Sequence, residues 1–226
     1  MKGTPFYAAV AAIFRKDVQA ELRSRELIGS MALFALLAVL VFSFALDLNR
    51  EGKLDAISGV LWVTLIFASI LGLNRSMAME RDQGNLDALL LAPISRSAIY
   101  VGKLTGNLVF VLAVAVVLAL TISVLFNASL FDPRVILVMA LGAVGYSTVG
   151  TLLAAMSVQT RARESLLPII MLPIALPLLL AAVRATSALL TGAPEDQWLP
   201  WLTILAVLDV IYLVLSVLLF EFVVED

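Results

Sequence analysis

Long apolar runs separated by short charged connections set the pattern of this chain. Six such runs cover residues 27–46, 56–73, 104–126, 135–158, 166–190 and 201–220. Each is close to the roughly 20 helical residues that cross a hydrocarbon core of about 30 Å, so the pattern predicts six transmembrane helices. Before the first run, Phe6, Val10, Ile13, Phe14, Val18 and Leu22 fall on one side of a helical wheel, and Arg15, Lys16, Gln19, Arg23 and Glu26 on the other. That division predicts an amphipathic helix lying in the interface plane, read here as an anchor beside lipid headgroups rather than a lever. The same segment carries Asp17, Glu21 and Glu26, and the run after it is too long for an export-signal core, so the first span is expected to be retained. The expected fold is an all-α integral membrane protein, one bundle of six transmembrane helices with an N-terminal interfacial helix.

Charge orients the bundle. Lys2, Arg15, Lys16, Arg23 and Arg25 precede the first span, Arg75, Arg81, Arg96 and Lys103 flank the second connection, and Arg161 and Arg163 lie between the fourth and fifth spans. The opposite side has Arg50, Lys53 and Arg134, with Arg184 inside the outer end of the fifth span. Lys and Arg accumulate on the cytoplasmic side, so both termini are expected there, in a bacterial cytoplasmic (inner) membrane. The acidic end of the chain, Glu221 to Asp226, does not oppose this, because carboxylates weigh little in orientation.

Composition narrows the chemistry. Hydrophobic residues make up 62% of the chain and charged ones 14%, and the mean hydropathy is +1.05, leaving too little polar surface for a soluble globule. With no Cys and no His, disulfides, thiolate catalysis, zinc sites built on those ligands and an axial imidazole for haem are absent from this sequence. Met77 and Tyr146 are poor substitutes as haem ligands, so no cofactor or metal is expected on this chain. No G-x-x-x-x-G-K-[ST] motif occurs either, since Gly102-Lys103 is followed by Leu104 and lacks the upstream glycine, so the sequence carries no nucleotide-binding loop of this type.

The connection between the second and third spans is the exception to the short, bland loops. Leu86, Leu89 and Leu90 fall at i, i+3 and i+4, giving a two-turn helix one apolar edge opposite Arg81, Asp82 and Asp87. Gly84 frees the chain from the second span, Pro93 disfavours helix at Ala92, and Ser95 is placed to cap the helix that continues into the third span. From the residues alone this peg is either an interfacial helix tidying a loop or a docking element.

Within the spans, Gly102 and Gly106 form a G-x-x-x-G pair, and Ala143, Ser147, Thr151 and Ala155 form a second small-residue stripe; both are read as packing inside one chain rather than a dimer seam. Pro168, Pro173 and Pro177 interrupt the fifth span three times, predicting a bent or partly broken helix that is either a static kink or a hinge. Arg184 and Asp209 are the ionisable groups inside spans. A lone carboxylate in hydrocarbon is costly, and counting from Trp201 brings the two to similar depth, so they are expected to pair.

The run Glu80-Arg81, Gly84, Leu86, Leu89-Leu90, Pro93, Ser95-Arg96, Ile99, Gly102-Lys103 resembles the cytoplasmic coupling segment of exporter-type permeases of ATP-binding-cassette transporters. With residues 71–76, 150–180 and 181–190 it is similar, more narrowly, to the haem exporter protein B (CcmB) family of cytochrome c biogenesis system I, over nearly the whole chain. The resemblance implies a single permease domain over residues 1–226 and a mechanical, non-catalytic role. It further implies a separate ATPase subunit that binds ATP, a haem-handling membrane subunit, a small single-span subunit and a periplasmic haem chaperone, with two copies of this chain, or one copy beside another subunit, and no nucleic acid. Carried over by position, Glu80, Arg81, Gly84, Leu86, Asp87, Leu89, Leu90, Pro93 and Arg96 would form a short cytoplasmic coupling helix and its flanks, seated in the ATPase. Three other readings differ in what they need: a permease for lipid, glycan or drug, an intramembrane enzyme built on Asp209, and a proton-driven carrier using Asp209 with the broken fifth helix. The enzyme lacks a second intramembrane carboxylate, a His base and a metal-ligand cluster.

Overall fold

The computed structural model describes residues 5–46, 50–82, 92–157 and 163–223, and in that range the chain is helical with no strands. The elements are α1 (Phe6–Ser24), α2 (Glu26–Ala45), α3 (Arg50–Asp82), α4 (Arg96–Phe126), α5 (Pro133–Ser157), α6 (Arg163–Leu190) and α7 (Glu195–Val223). Among the described residues, α2 to α7 are long and apolar enough to cross a membrane, so the six-span all-α fold stands as expected. The helices overrun the apolar windows: α4 begins at Arg96 rather than 104, and α7 at Glu195 rather than 201. Hydropathy marks where lipid begins, whereas a helix continues until its backbone bonding is broken.

Local chemistry sets the ends. Ser95 sits in extended geometry ahead of α4, as expected of a cap position, but its hydroxyl makes no capping bond. Asn127 closes α4 in left-handed geometry (φ 52°), a conformation Asn adopts more readily than most residues. At the α6–α7 turn Gly192 (φ 70°) allows the Ala193 N–H to reach back to the Ala188 carbonyl at 2.9 Å, satisfying a terminal acceptor of α6.

The spans alternate in direction, so the start of α2 and the ends of α3, α5 and α7 share one end of the bundle with α1; the α6–α7 turn is at the other, called here the far end. α3 and α5 form the interior, each with 72% of its span buried, and α2, α4, α6 and α7 surround them. The main core joins Met31 and Ala35 of α2, Trp62 and Leu65 of α3, Val114 and Leu118 of α4, Tyr146 of α5 and Leu178 of α6. Glycines let α5 into that core: Gly142 faces the Trp62 ring, Gly145 faces Asp209 and Leu178, and Gly150 faces Leu73, with no room for a side chain at any of the three. The small-residue stripe Ala143, Ser147, Thr151 and Ala155 is buried within this one chain. Polar groups that enter the core are mostly matched: the Trp62 indole donates to Thr186 Oγ1 at 2.9 Å, and Asn107 Nδ2 to Thr151 Oγ1 at 2.9 Å.

Two expectations are corrected here. Of the bent or partly broken helix expected for the proline-rich span, the break is not found, for α6 runs continuously from Arg163 to Leu190 through Pro168, Pro173 and Pro177. Its neighbours brace the turn between the last two prolines, Tyr212 donating to the Ile174 carbonyl at 2.8 Å and Tyr146 to the Ala175 carbonyl at 3.3 Å, which supports a backbone that proline weakens. Nor do Arg184 and Asp209 pair. α7 starts at Glu195, so Asp209 lies about 21 Å along it from the far end, whereas Arg184 lies about 9 Å from the end of α6. Arg184 is exposed and lines a cavity near that end, and Asp209 is buried against Gly145 with neither carboxylate oxygen hydrogen-bonded.

Candidate coupling site

The residues expected to receive a partner flank the connection from α3 to α4. Glu80 and Arg81 are in the last turns of α3, and of their side chains nothing is described; Gly84, Leu86, Asp87, Leu89 and Leu90 lie outside the described residues. Pro93 is in a bend and exposed, and the Ile94 N–H closes that bend on the Ala92 carbonyl at 2.8 Å. Arg96, expected among the residues that meet the ATPase, reaches α7, where its Nη1 donates to the Glu221 carbonyl at 3.2 Å. A guanidinium at that position satisfies a terminal carbonyl and complements the negative end of the helix. Arg161 is outside the described residues, and the side chains of Arg163 and Glu164 are not described.

What the structure brings together is the first turns of α4 with three other helices. Ile13 of α1, Ile99, Tyr100 and Leu104 of α4, Leu152 and Ala155 of α5, and Phe220 of α7 form a second apolar cluster, separate from the main core. Tyr100 is wholly buried in it; its hydroxyl donates to the Thr148 carbonyl at 2.9 Å and its ring lies 5.2 Å from that of Phe220. The start of α4 is thereby tied to α5 and α7 at the point where the α3–α4 connection arrives.

α1 is tied to the same place, and not in the way its helical wheel suggested. Its inner stripe is Ala9, Ile13, Asp17 and Glu21, whereas Leu22, expected on the apolar side, is 66% exposed. The physical reason is that α1 rests on protein. Gly102 of α4 receives Ile13 so closely that a Cβ there would stand 2.8 Å from the Ile13 Cβ, and Gly106 leaves space for Asp17. The G-x-x-x-G pair thus seats the interfacial helix, a contact within one chain as expected but with a different helix than another span. Beside it Lys103 Nζ, only 3% exposed, donates to both Asp17 carboxylate oxygens at 2.9 and 3.0 Å, with Lys16 3.4 Å from the same group. Burial alone would penalise either charge; together, and hydrogen-bonded, they are tolerated.

Glu21 does the matching job at the elbow. Its carboxylate accepts from the Ile28 N–H at 2.8 Å and the Leu27 N–H at 3.3 Å, filling donors left open at the start of α2 and placing negative charge at its positive end. Arg25 makes the turn between the helices in left-handed geometry (φ 55°), its N–H bonded to the Glu21 carbonyl at 2.7 Å. A Glu26–Arg75 ion pair joins the start of α2 to α3. Sequence reasoning passed over Asp17, Glu21, Lys103 and Tyr100. The available signal was acids spaced i, i+4 with Ile13 on one helix, and a lysine between two glycines on another.

The arrangement joins the start of α4 to α1, α5 and α7 through buried contacts. No group of three or more His, Cys, Asp or Glu able to hold a metal is found among the described residues, and the sequence offers Asp and Glu alone for such a group. The family model described as "CcmB protein" matches residues 8–225. "Heme exporter protein B" of Rhodobacter capsulatus is 30% identical over 174 residues, 75% of this chain and 78% of that one. The protein of the same description from Bradyrhizobium diazoefficiens is 24% identical over 92% of this chain and 93% of its own, and that of Pseudomonas aeruginosa 27% identical over 82% and 83%.

Proposed function

The chain belongs to the CcmB family, and from that premise we propose that it is the membrane permease subunit of an ATP-driven complex that exports haem, or releases a haem-loaded chaperone, in the maturation of c-type cytochromes. The observation that carries this reading is the family match over residues 8–225, which takes in all six spans and the α3–α4 connection. The bias of Lys and Arg toward the terminus-bearing end supports a cytoplasmic location for that end. ATP is hydrolysed on a partner ATPase, and haem is held by a partner membrane subunit and a periplasmic chaperone, with a small single-span subunit and a second copy of this chain completing the complex. Absence of His and Cys from the sequence supports leaving haem ligation to partners.

In this reading closure of the ATPase pushes on residues 80–96. The push arrives at the first turns of α4, which are joined through Lys103–Asp17 to α1, through Tyr100 to α5 and through Phe220 and Arg96 to α7. Those elements move as a unit, and α6, weakened by three prolines and braced by Tyr146 and Tyr212, is the hinge against which they tilt. Leu89→Glu is the direct test. Membrane insertion should be unchanged while co-purification of the ATPase and maturation of c-type cytochromes are lost; normal recovery of both would defeat the proposal. Deletion of the chain with c-type cytochromes unaffected would instead favour an exporter of lipid, glycan or drug.

A further inference from the structure

At the far end of the bundle, between the last turns of α6 and the first turns of α7, a cavity of about 520 Å³ opens to the surface. It has a volume typical of ligand sites. Its lining includes two charged residues, Arg184 and Asp196, both exposed, and no ion pair joins them. Pro200, Trp201 and Ile204 supply an apolar wall. A cation and an anion that share a cavity without meeting leave room for a ligand that carries both charges.

Depth orders these groups. α6 and α7 are antiparallel neighbours joined by a tight turn, so distance from that turn is distance from the membrane surface. Asp196 is one residue into α7, about 1.5 Å along the axis; Arg184 is six residues from the end of α6 and Trp201 six into α7, about 9 Å each; Ile204 is deepest, at about 14 Å. The long Arg184 side chain can snorkel from that depth toward the surface. Trp198, whose ring lies 5.8 Å from the exposed Arg134 guanidinium, and half-buried Trp201 mark this end as the interfacial level where aromatic residues gather.

We infer that this cavity binds the headgroup of a zwitterionic aminophospholipid. The order from the surface inward, Asp196, then Arg184 level with Trp201, then Ile204, matches ammonium, phosphate and acyl chain in such a lipid: Asp196 takes the ammonium, Arg184 the phosphate as its side chain snorkels outward, and Trp201 with Ile204 the first methylenes. The same order opposes other amphiphiles. A phosphatidylglycerol offers Asp196 only neutral hydroxyls and no cation, and a tetrapyrrole with two carboxylates would set one against it. The inference is independent of the ATP-driven reading, since it concerns the opposite end of the bundle and a ligand of the membrane itself.

Native mass spectrometry of the purified full-length chain, with dioctanoyl phosphatidylethanolamine and dioctanoyl phosphatidylglycerol at equal concentration, tests it. One phosphatidylethanolamine should be retained in preference to phosphatidylglycerol by about five-fold, the upper range for a single exposed charge contact. Arg184→Gln should weaken both lipids. Asp196→Asn should erase the preference and Asp196→Lys should reverse it; Asp196 is an exposed first-turn residue, so these two variants carry the test even if the first misfolds. Equal retention by the unaltered chain, a preference that survives Asp196→Lys, or displacement of the bound lipid by equimolar haemin would overturn it.

Discussion

α5 and α7 cross the same bilayer and are neighbours, yet they solve opposite problems. α7 has the higher mean hydropathy, 2.7 against 1.9, but only 17% of its span is buried against 72% for α5. In water the more apolar helix would be the inner one. In a bilayer lipid tails are as apolar as leucine, so burial against protein has to come from close packing and matched polar groups. α5 supplies these with Gly142, Gly145 and Gly150 and with Thr151, which accepts from Asn107, and α7 keeps Leu, Ile and Val for lipid with a narrow inward stripe of Leu205, Asp209, Ser216 and Phe220. The same rule explains α1, which meets α4 through glycines and an Asp17–Lys103 pair rather than through its largest apolar residues.

That contrast can be broken at graded positions. The largest effect is expected from Lys103→Met, which leaves the Asp17 carboxylate buried beside Lys16 alone; stability in detergent should fall by about 3 kcal/mol, and adding Asp17→Asn should recover at least half. A pair that contributes nothing would show no such recovery. Gly142→Val places a side chain against the Trp62 ring and should cost about 2 kcal/mol, read as a lower midpoint of thermal unfolding. Asp209→Asn reverses the sign: a carboxylate with no partner gives way to a neutral amide of the same shape, and stability should rise by about 1 kcal/mol. A fall of that size would mean the charge has a stabilising role in the native bundle. Val210→Ala, on the lipid side of the next residue, should change stability by less than about 0.5 kcal/mol, and a larger loss would place protein rather than lipid over that face.

Much of the architecture was legible because it follows from counting. Apolar runs of sufficient length mark spans whatever their neighbours, and Gly102 and Gly106 announce a close approach whatever fills it. The partner in that approach was not legible, since a helical wheel sorts α1 by residue type, and type does not separate lipid contact from protein contact. Hence Leu22 shares the apolar side of the wheel with Ile13 yet is exposed, while Asp17 and Glu21, from the charged residues of the segment, face protein. The Arg184–Asp209 pairing failed for a related reason. Register across a helical hairpin depends on where each helix begins, and α7 begins six residues before the tryptophan from which the count was made.

The amino-acid sequence by itself therefore determined that this is a six-span helical membrane protein without a nucleotide-binding loop of its own, because span length and motif spacing are properties of the chain read in one dimension. Tertiary structure decided which spans lie inside, what α1 grips, and where Arg96, Arg184 and Asp209 point. Those outcomes turn on fit between surfaces a few ångströms apart, where one glycine or one paired charge outweighs the average apolarity of a helix.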